Sequence, residues 1–254
     1  MLSSERHKII MDKLKIDGVV HTSDLIKLFG VSKETIRRDL VELEQLGFLK
    51  KVYGGAVLEK VDPSFTPFRD RKNKSVTEKQ EIAKLAMRYV KEKMSIAMDV
   101  STTNLAIAEQ LKQHFHSLTI LTNSLAIAYE LLDAEGFTVI LTGGILHREE
   151  ISINGDICCE TIRRFNVDLY FMSCNGVSLK SGITDFGEGE VMTKRALIDI
   201  AKKIILVCSS DRFDVISLIN VCDIKKPSFI ITDSALPAQV KALYESNGIH
   251  IVNS

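Results

Sequence analysis

Val31-Ser32-Lys33-Glu34-Thr35-Ile36-Arg37-Arg38-Asp39-Leu40 begins a segment that runs on through Leu43, Glu44 and Leu46 to Gly47. Ser32 is a hydroxyl residue placed to accept a hydrogen bond from the first free N–H groups of a helix, and Gly47 is placed to stop one. Between them Ile36, Leu40, Leu43 and Leu46 recur every three or four residues and so share one face. The spacing predicts a helix over 33–46. Its first turns leave Lys33, Glu34, Thr35, Arg37 and Arg38 on the outside.

Working outward, Phe29-Gly30-Val31 reads as a tight turn, and a short helix carrying Leu25, Ile26, Leu28 and Phe29 precedes it, capped by Thr22 or Ser23. Val19-Val20-His21 reads as a short extended piece. An earlier helix over 4–16 sets Ile9, Ile10 and Leu14 on one face and ends at Asp17-Gly18. After Gly47, the run Phe48 to Val57 contains Gly54-Gly55 between two extended stretches, the pattern of a β-hairpin. Two helices joined by a short glycine-containing turn, followed by a hairpin, match a winged helix-turn-helix. In that motif the second helix enters the major groove of DNA. An Arg there can grip guanine through two hydrogen bonds, and a Thr methyl can touch thymine. Ser32 and the helix N-terminus suit a phosphate. Lys50, Lys51 and Tyr53 on the hairpin are placed for the sugar-phosphate backbone.

These residues carry a resemblance. The string Val31 to Leu40, with Leu43-Glu44, Gly47 and Tyr53-Gly54-Gly55-Ala56, resembles the DNA-binding signature of the DeoR family of bacterial regulators of sugar metabolism. The resemblance implies groove contacts from Lys33 to Arg38. Asp39 is expected to play a structural part through a pairing one turn away on its own helix.

The chain has 254 residues, enough for one small and one medium domain, and 45% of them are hydrophobic, so a core can form without covalent staples. Formal charge is zero, but it is uneven. Residues 1–79 hold 16 Lys and Arg against 12 Asp and Glu, and the rest hold 17 against 21. The front of the chain is therefore the part suited to a polyanion. The five cysteines are odd in number and include no Cys-x-x-Cys pair, which argues against a disulfide framework or a zinc site and for reduced thiols. The start has no apolar leader, and no apolar run approaches the ~20 residues that span a bilayer. The expectation is a cytoplasmic protein with no cofactor and no membrane partner.

The expected organisation is a DNA-binding domain over 1–58, a linker over 59–79 and an α/β domain over 80–254. The linker rests on Pro63, Pro67 and the charges Arg69, Asp70, Arg71, Lys72 and Lys74, with no apolar period among them. From residue 80 helical patterns alternate with short Val, Ile and Leu strands. Helices are predicted at 81–92, 103–114, 125–135, 156–165, 190–202 and 238–246. Strands are predicted at 94–98, 118–121, 137–141, 168–173, 204–208, 229–231 and 249–252. The alternation predicts a mainly parallel, Rossmann-like sheet covered on both faces.

Several strands run straight into small polar residues: Asp99 with Ser101-Thr102-Thr103, Thr122-Asn123-Ser124, Thr142-Gly143-Gly144, Asn175-Gly176, and Ser209-Ser210-Asp211-Arg212. In open parallel sheets ligands bind at the carboxyl ends of the strands, where all of these clusters fall. Ser101 to Thr103 supply hydroxyls and N–H groups at a helix start, the chemistry a phosphate needs. Gly143-Gly144 permits close backbone approach. Asp99 is suited to sugar hydroxyls, and Lys194 or Arg212 to phosphate charge. The same loops, with Gly155, Asp168, Gly182, Glu190, Lys194-Arg195 and Asp233, resemble the DeoR sensor domain, whose fold is similar to ribose-5-phosphate isomerase. The resemblance covers nearly the whole chain and implies a phosphorylated sugar or related effector, operator DNA as partner, and a role as repressor. It adds Glu190 to the candidate effector-binding residues. Two positions depart from it. Ser101 stands where the family has Gly, and Ser209-Ser210-Asp211-Arg212-Phe213 stands where it has Asp-Ser-Ser-Lys-Phe.

Two other readings stay open: a sugar-phosphate isomerase fused to a DNA-binding unit, and a redox sensor that binds a dinucleotide. The first rests on fold analogy. The second rests on Gly187-Glu188-Gly189, which lacks a third glycine and is not expected to follow a strand directly. No nucleophile–base motif is present, so no catalytic residue is assigned. His114, His116 and His147 lack ligand spacing, and Cys158-Cys159 read as small buried residues. Symmetric half-sites imply a homodimer or homotetramer.

Overall fold

A computed structural model of the chain describes residues 3–17, 19–45, 49–52, 55–57 and 67–253. It divides into two compact units, residues 1–63 and 64–254.

The smaller unit holds α1 (Ser3–Asp17), β1 (Val19–His21), α2 (Thr22–Phe29), α3 (Lys33–Gln45), β2 (Lys50–Val52) and β3 (Gly55–Val57). Ile10 and Leu14 of α1, Leu25 of α2 and Ile36, Leu40 and Leu43 of α3 form its core, so the three helices bury the faces that their periodicity marks. β3 pairs antiparallel with both β1 and β2, which gives the hairpin a third strand from Val19 to His21. α2 starts at Thr22 itself, one of the two residues expected to cap it, and His21 stands at the cap position with no side-chain hydrogen bond. Gly30 closes α2, its N–H donating to the Ile26 carbonyl at 2.9 Å. Leu46, Gly47, Tyr53 and Gly54 lie outside the described residues.

The larger unit runs α4 (Phe68–Lys72), α5 (Val76–Ala86), β4 (Ser95–Met98), α6 (Thr102–His114), β5 (Leu118–Thr122), α7 (Leu125–Glu130), β6 (Phe137–Leu141), β7 (Ile145–His147) and β8 (Ser152–Asn154). It continues with α8 (Asp156–Ile162), β9 (Val167–Met172), β10 (Gly176–Ser178), β11 (Gly182–Asp185), α9 (Glu188–Ile200), β12 (Ala201–Val207), β13 (Ile219–Cys222), β14 (Phe229–Ile231), α10 (Ala238–Ser246) and β15 (Ile251–Val252). Seven strands form one wholly parallel sheet in the order β15-β14-β12-β9-β4-β5-β6. Alternate residues feed opposite cores. Ala97, Tyr170, Met172 and Leu206 join one cluster with Cys158, Val191 and Tyr244 of α8, α9 and α10. Ile96, Met98, Phe171 and Ile205 join the other with Ile82 and Ile107 of α5 and α6. Starting at β4, the chain goes out through β5 to β6 and then returns to lay β9 on the opposite flank of β4. The carboxyl ends of β4 and β9 therefore form the topological switch point of the sheet.

Three expectations are corrected. Residues 67–79 are not linker but α4 and the start of α5, with Phe68 buried beside Ile82 and Leu105. A five-residue helix anchored by one aromatic is too short to show a period. The helix expected over 81–92 starts at Val76 and ends at Ala86, followed by a 3-10 turn over Met87–Tyr89. Five short strands went unread: β7 with β8, and β10, β11 and β13, form two small antiparallel sheets. At three or four residues each, they are too brief for alternation to register. β11 ends at Asp185 and α9 starts at Glu188, so Gly187 stands at the cap and Glu188-Gly189 open a helix that follows a strand. That strand is antiparallel and lies outside the main sheet.

Candidate DNA-binding and effector sites

In the smaller unit, the Ser32 hydroxyl accepts from the Thr35 N–H at 3.2 Å and lies 2.9 Å from the Thr35 hydroxyl. The cap read from sequence is thus formed. Lys33, Glu34, Arg37 and Arg38 are exposed on the early turns of α3. Arg37 donates from Nε and Nη2 to the two Glu34 oxygens at 2.9 and 2.8 Å, and Arg38 Nε lies 3.7 Å from the same carboxylate. The Arg37 hydrogen bonds hold the Glu34 carboxyl below its usual range. The backbone N–H of Lys51 donates to Glu44 Oε1 at 2.8 Å, tying the hairpin to α3. The side chain of Lys50 and the whole of Tyr53 lie outside the described residues.

Asp39 is structural, but not by a pairing on its own helix. Its buried carboxylate takes Arg6 Nε at 2.7 Å and Arg6 Nη2 at 2.9 Å, with His7 Nε2 at 3.2 Å. Both partners come from α1. Burial pushes the Asp39 carboxyl up, yet the Arg6 hydrogen bonds and charge, with His7, outweigh it and hold it below its usual range. This clasp fixes the angle at which α1 supports α3.

In the larger unit, Asp99 sits at the switch point, immediately after β4. Four groups converge on its carboxylate: the Tyr170 hydroxyl at 2.6 Å, Lys194 Nζ at 2.6 Å, the Ser173 N–H at 3.0 Å and Asn104 Nδ2 at 2.8 Å. Lys194 also donates to Ser173 Oγ at 2.9 Å and lies 3.4 Å from Asp185. Burial alone would push the Lys194 ammonium down, but the Asp99 and Asp185 charges hold it well above its usual range. Burial and then Asp99 raise the Tyr170 phenol, so it stays protonated as the donor. Asp99 and Lys194 satisfy each other, and neither side chain is open to solvent. Both are therefore buried structural groups, not side chains open to a ligand.

Above them α6 begins. Ser101 caps it by accepting from the Asn104 N–H at 2.9 Å. The N–H groups of Thr102 and Thr103 have no partner among the described residues. Thr122 donates to the Met98 carbonyl at 2.7 Å, and the Ser124 hydroxyl caps α7 by accepting from Ile127 N–H. Asn123 accepts from Val100 N–H at 3.1 Å and donates to the Ile153 carbonyl. Asn154 continues this chain to Glu190, donating to Oε1 at 2.9 Å. Asn175 donates to Asp185, and Arg212 Nη1 reaches the Asn175 carbonyl at 3.4 Å. These contacts form two polar groups at the carboxyl ends of the strands, one around Asp99 and Lys194 that reaches Asn175 and Arg212, and one that runs from Asn123 through Asn154 to Glu190. Gly143 and Gly144 follow β6. A side chain at Gly144 would meet the Asn154 carbonyl at 2.5 Å, and φ there is +138°, so only glycine fits. Gly176 has a packing reason instead, since a Cβ there would lie 2.4 Å from the Val215 carbonyl.

Several residues were missed by sequence reasoning. Arg71 of α4 pairs with Glu150 on the turn between β7 and β8, and the Phe68 N–H donates to the neighbouring Glu149 carbonyl at 3.0 Å. Burial raises the Glu150 carboxyl, Arg71 opposes this, and Glu190 and Asp185 add to the rise. Lys79 donates to the carbonyls of Arg71 and Lys74, and burial first, then Arg71 and Arg212, push its ammonium down to about 8. Asn104, Tyr170 and Asp185 complete the missed set.

The comparisons with known proteins agree with this division. A family model described as the DeoR-like helix-turn-helix domain matches residues 6–61, and one described as the DeoR C terminal sensor domain matches residues 74–234. The HTH-type transcriptional regulator GolR of Listeria innocua is 36% identical over 96% of this chain and 95% of its own. The glycerol-3-phosphate regulon repressor of Escherichia coli K12 is 31% identical over 99% of both chains. The HTH-type transcriptional repressor GlcR of Bacillus subtilis is 31% identical over 99% of this chain and 96% of its own. Among solved structures, ribose 5-phosphate isomerase A of Methanocaldococcus jannaschii matches with a TM-score of 0.40 and 13% identity over 53% of each chain.

Proposed function

The chain belongs to the DeoR family of DNA-binding transcriptional regulators, and from that premise we propose that it represses a carbohydrate-metabolism operon and that a phosphorylated sugar or related metabolite modulates its hold on the operator. The observation that carries the effector reading is the pair of unpartnered N–H groups at Thr102 and Thr103. They open the 13-residue helix α6 at the switch point of the parallel sheet. A helix start with free N–H groups favours an anion through both hydrogen bonding and the helix dipole. A relative whose name refers to a glycerol-3-phosphate regulon supports the same chemistry. Glu190, Asn175 and Arg212 at the rim supply acceptors and a cation suited to hydroxyls and phosphate.

The DNA reading rests on α3. Arg37 and Arg38 face outward on a helix whose opposite face is core, as a groove-reading helix requires. Lys50, Lys51 and Tyr53 are assigned to the backbone of the duplex. Symmetric operators call for at least a homodimer. No helix among the described residues is long and apolar enough to cross a membrane, and the protein is assigned to the cytoplasm. The isomerase reading has nothing specific behind it. Asp99 already holds four donors, which leaves it a fixed anion rather than a free base.

The test has two arms. Selection from random duplexes yields an operator, and replacing Arg37 and Arg38 with Ala must then lower affinity for it by at least tenfold. Separately, thermal unfolding is followed against sugar phosphates and their unphosphorylated counterparts. A true effector at ~100 times its Kd adds roughly 2.7 kcal/mol, and the gain must vanish without the phosphate. Stabilisation by the unphosphorylated sugar alone would overturn the phosphate assignment.

A further inference from the structure

β9 and β12 are parallel neighbours in which Met172 is the partner of Leu206. Cys174 and Cys208 each stand two residues beyond that pair, just past the ends of the two strands. Residues two apart on a strand share a face, and both cysteines lie with Tyr170, Met172 and Leu206 on one side of the sheet. Adjacent strands run about 4.8 Å apart, inside the ~4.4–6.8 Å range of Cα separations that a disulfide spans. The neighbouring Cys174 thiol, then burial, raises the Cys208 thiol above its usual range. Cys174 is half-buried and Cys208 buried, so a small oxidant meets Cys174 first and finds Cys208 behind it. Arg212 and Lys194 are the nearby cations: Arg212 acts on Cys208, and Lys194 interacts with Cys174.

We propose that Cys174 and Cys208 form a reversible disulfide in response to a hydroperoxide, stapling the loop after β9 to the loop after β12 at the edge of the effector site. The Cys174 thiolate attacks the peroxide. An S–O bond forms, the O–O bond breaks, and the leaving oxygen departs as water with the proton of the thiol. Cys208 then attacks the sulfur of the resulting sulfenic acid. The S–S bond forms, the S–O bond breaks, and a second water leaves with the Cys208 proton. Two thiols and one hydrogen peroxide give one disulfide and two waters. Exchange with a reduced dithiol restores both thiols. The staple joins the loops that present Asn175 and Arg212, which are already linked by the Arg212 to Asn175 contact at 3.4 Å. Oxidation would therefore fix the spacing of the two on which a ligand depends.

The experiment treats the intact chain with hydrogen peroxide, denatures it, alkylates the remaining thiols and maps the peptides by mass spectrometry. Two fewer alkylated cysteines, a cross-linked peptide joining Cys174 to Cys208, and full recovery with dithiothreitol are expected. Cys222→Ser keeps the cross-link. Cys208→Ser loses it and leaves a Cys174 sulfenic acid that dimedone traps. Five alkylated thiols after peroxide, a Cys174–Cys222 or other pairing, or irreversible oxidation of Cys174 with Cys208 still free would each overturn the proposal. If Cys208→Ser does not fold, the wild-type and Cys222→Ser maps decide it. The thiol map needs no effector, so its outcome is independent of the phosphate reading.

Discussion

Lys194 Nζ lies 2.6 Å from Asp99 Oδ2, and the two residues, 95 positions apart, are sealed together beneath the switch point of the parallel sheet. Removing one member strands a charge in a site that water does not reach. Lys194→Met is expected to cost about 3–5 kcal/mol, the scale for breaking a buried pair. Adding Asp99→Asn to it should recover more than half of that loss, because the stranded charge goes too. Chemical denaturation of the three variants measures this. A Lys194→Met cost below about 1 kcal/mol would mean that Tyr170, Asn104 and the Ser173 N–H hold Asp99 unaided.

Asp168, at the amino end of β9, joins three strands. It accepts from Lys202 of β12 at 2.8 Å and from the Ser95 N–H and hydroxyl of β4 at 3.0 and 2.8 Å. The Lys202 hydrogen bond first, then those from Ser95, lower its carboxyl to about 2 from 3.8. A carboxyl depressed in the folded state stabilises the fold above its unfolded value and loses that contribution as pH falls through the folded value. Stability of the wild-type chain should therefore decline between about pH 4 and about pH 2, with Asp168→Asn flattening that limb. Urea midpoints taken across this range show whether the slope belongs to Asp168. An unchanged slope in the variant would assign it to other carboxylates.

The helices and the parallel strands were legible because each is long enough to repeat its pattern. Ile36, Leu40 and Leu43 mark a helical face, and the β4 and β9 residues alternate between two cores. The Ser32 cap was legible as well and acts where α3 begins, whereas the cap expected for α2 at Thr22 or Ser23 is not formed. What sequence could not supply was pairing across distance. Nothing near Asp39 points to Arg6, and nothing near Asp99 points to Lys194. Arg71 was hidden for another reason. Its helix has five residues and lies amid charges, so it resembles solvated linker until Phe68 is seen in the core. The candidate effector residues do lie on loops at the carboxyl ends of the strands, but which of them are buried depends on packing, which spacing does not encode.

Glu34 restrains Arg37, the arginine proposed to read the groove. Arg37 holds both of its oxygens, and Arg38 approaches the same group. Because all three side chains are exposed, the exchange of Glu34 for a phosphate or base partner should be easy. Glu34→Gln removes a negative charge from a surface that meets a polyanion. Affinity for a random duplex at low salt should rise roughly two- to fivefold, the scale of one exposed charge interaction. The salt slope should steepen by about one if Arg37 takes a phosphate. Fluorescence anisotropy against salt concentration reads both. Unchanged affinity for random DNA would show that α3 does not face the duplex as assigned.

β6 is an edge strand of the large sheet, and the surface beside it is unusually apolar. Ile145 and Ile157 are 73% and 62% exposed, with Leu146 and Leu141 close by in sequence. A side chain at Gly155 would touch Ile145, and one at Gly143 would touch Ile157, which brings these residues around one short stretch of surface. An open strand edge flanked by exposed isoleucines is a liability in an isolated chain and an asset in an oligomer. A second copy meeting this surface across a two-fold axis would give a dimer whose two α3 helices are related by the same axis, as symmetric half-sites require. Ile145→Lys with Ile157→Lys should therefore convert the protein to a monomer in light scattering at micromolar concentration. It should weaken binding to a two-half-site operator far more than to a single half-site, and leave the melting temperature of the larger unit nearly unchanged, because neither side chain lies in its core. If the double variant keeps the wild-type mass, the copies associate through another face and the apolar edge needs a different partner.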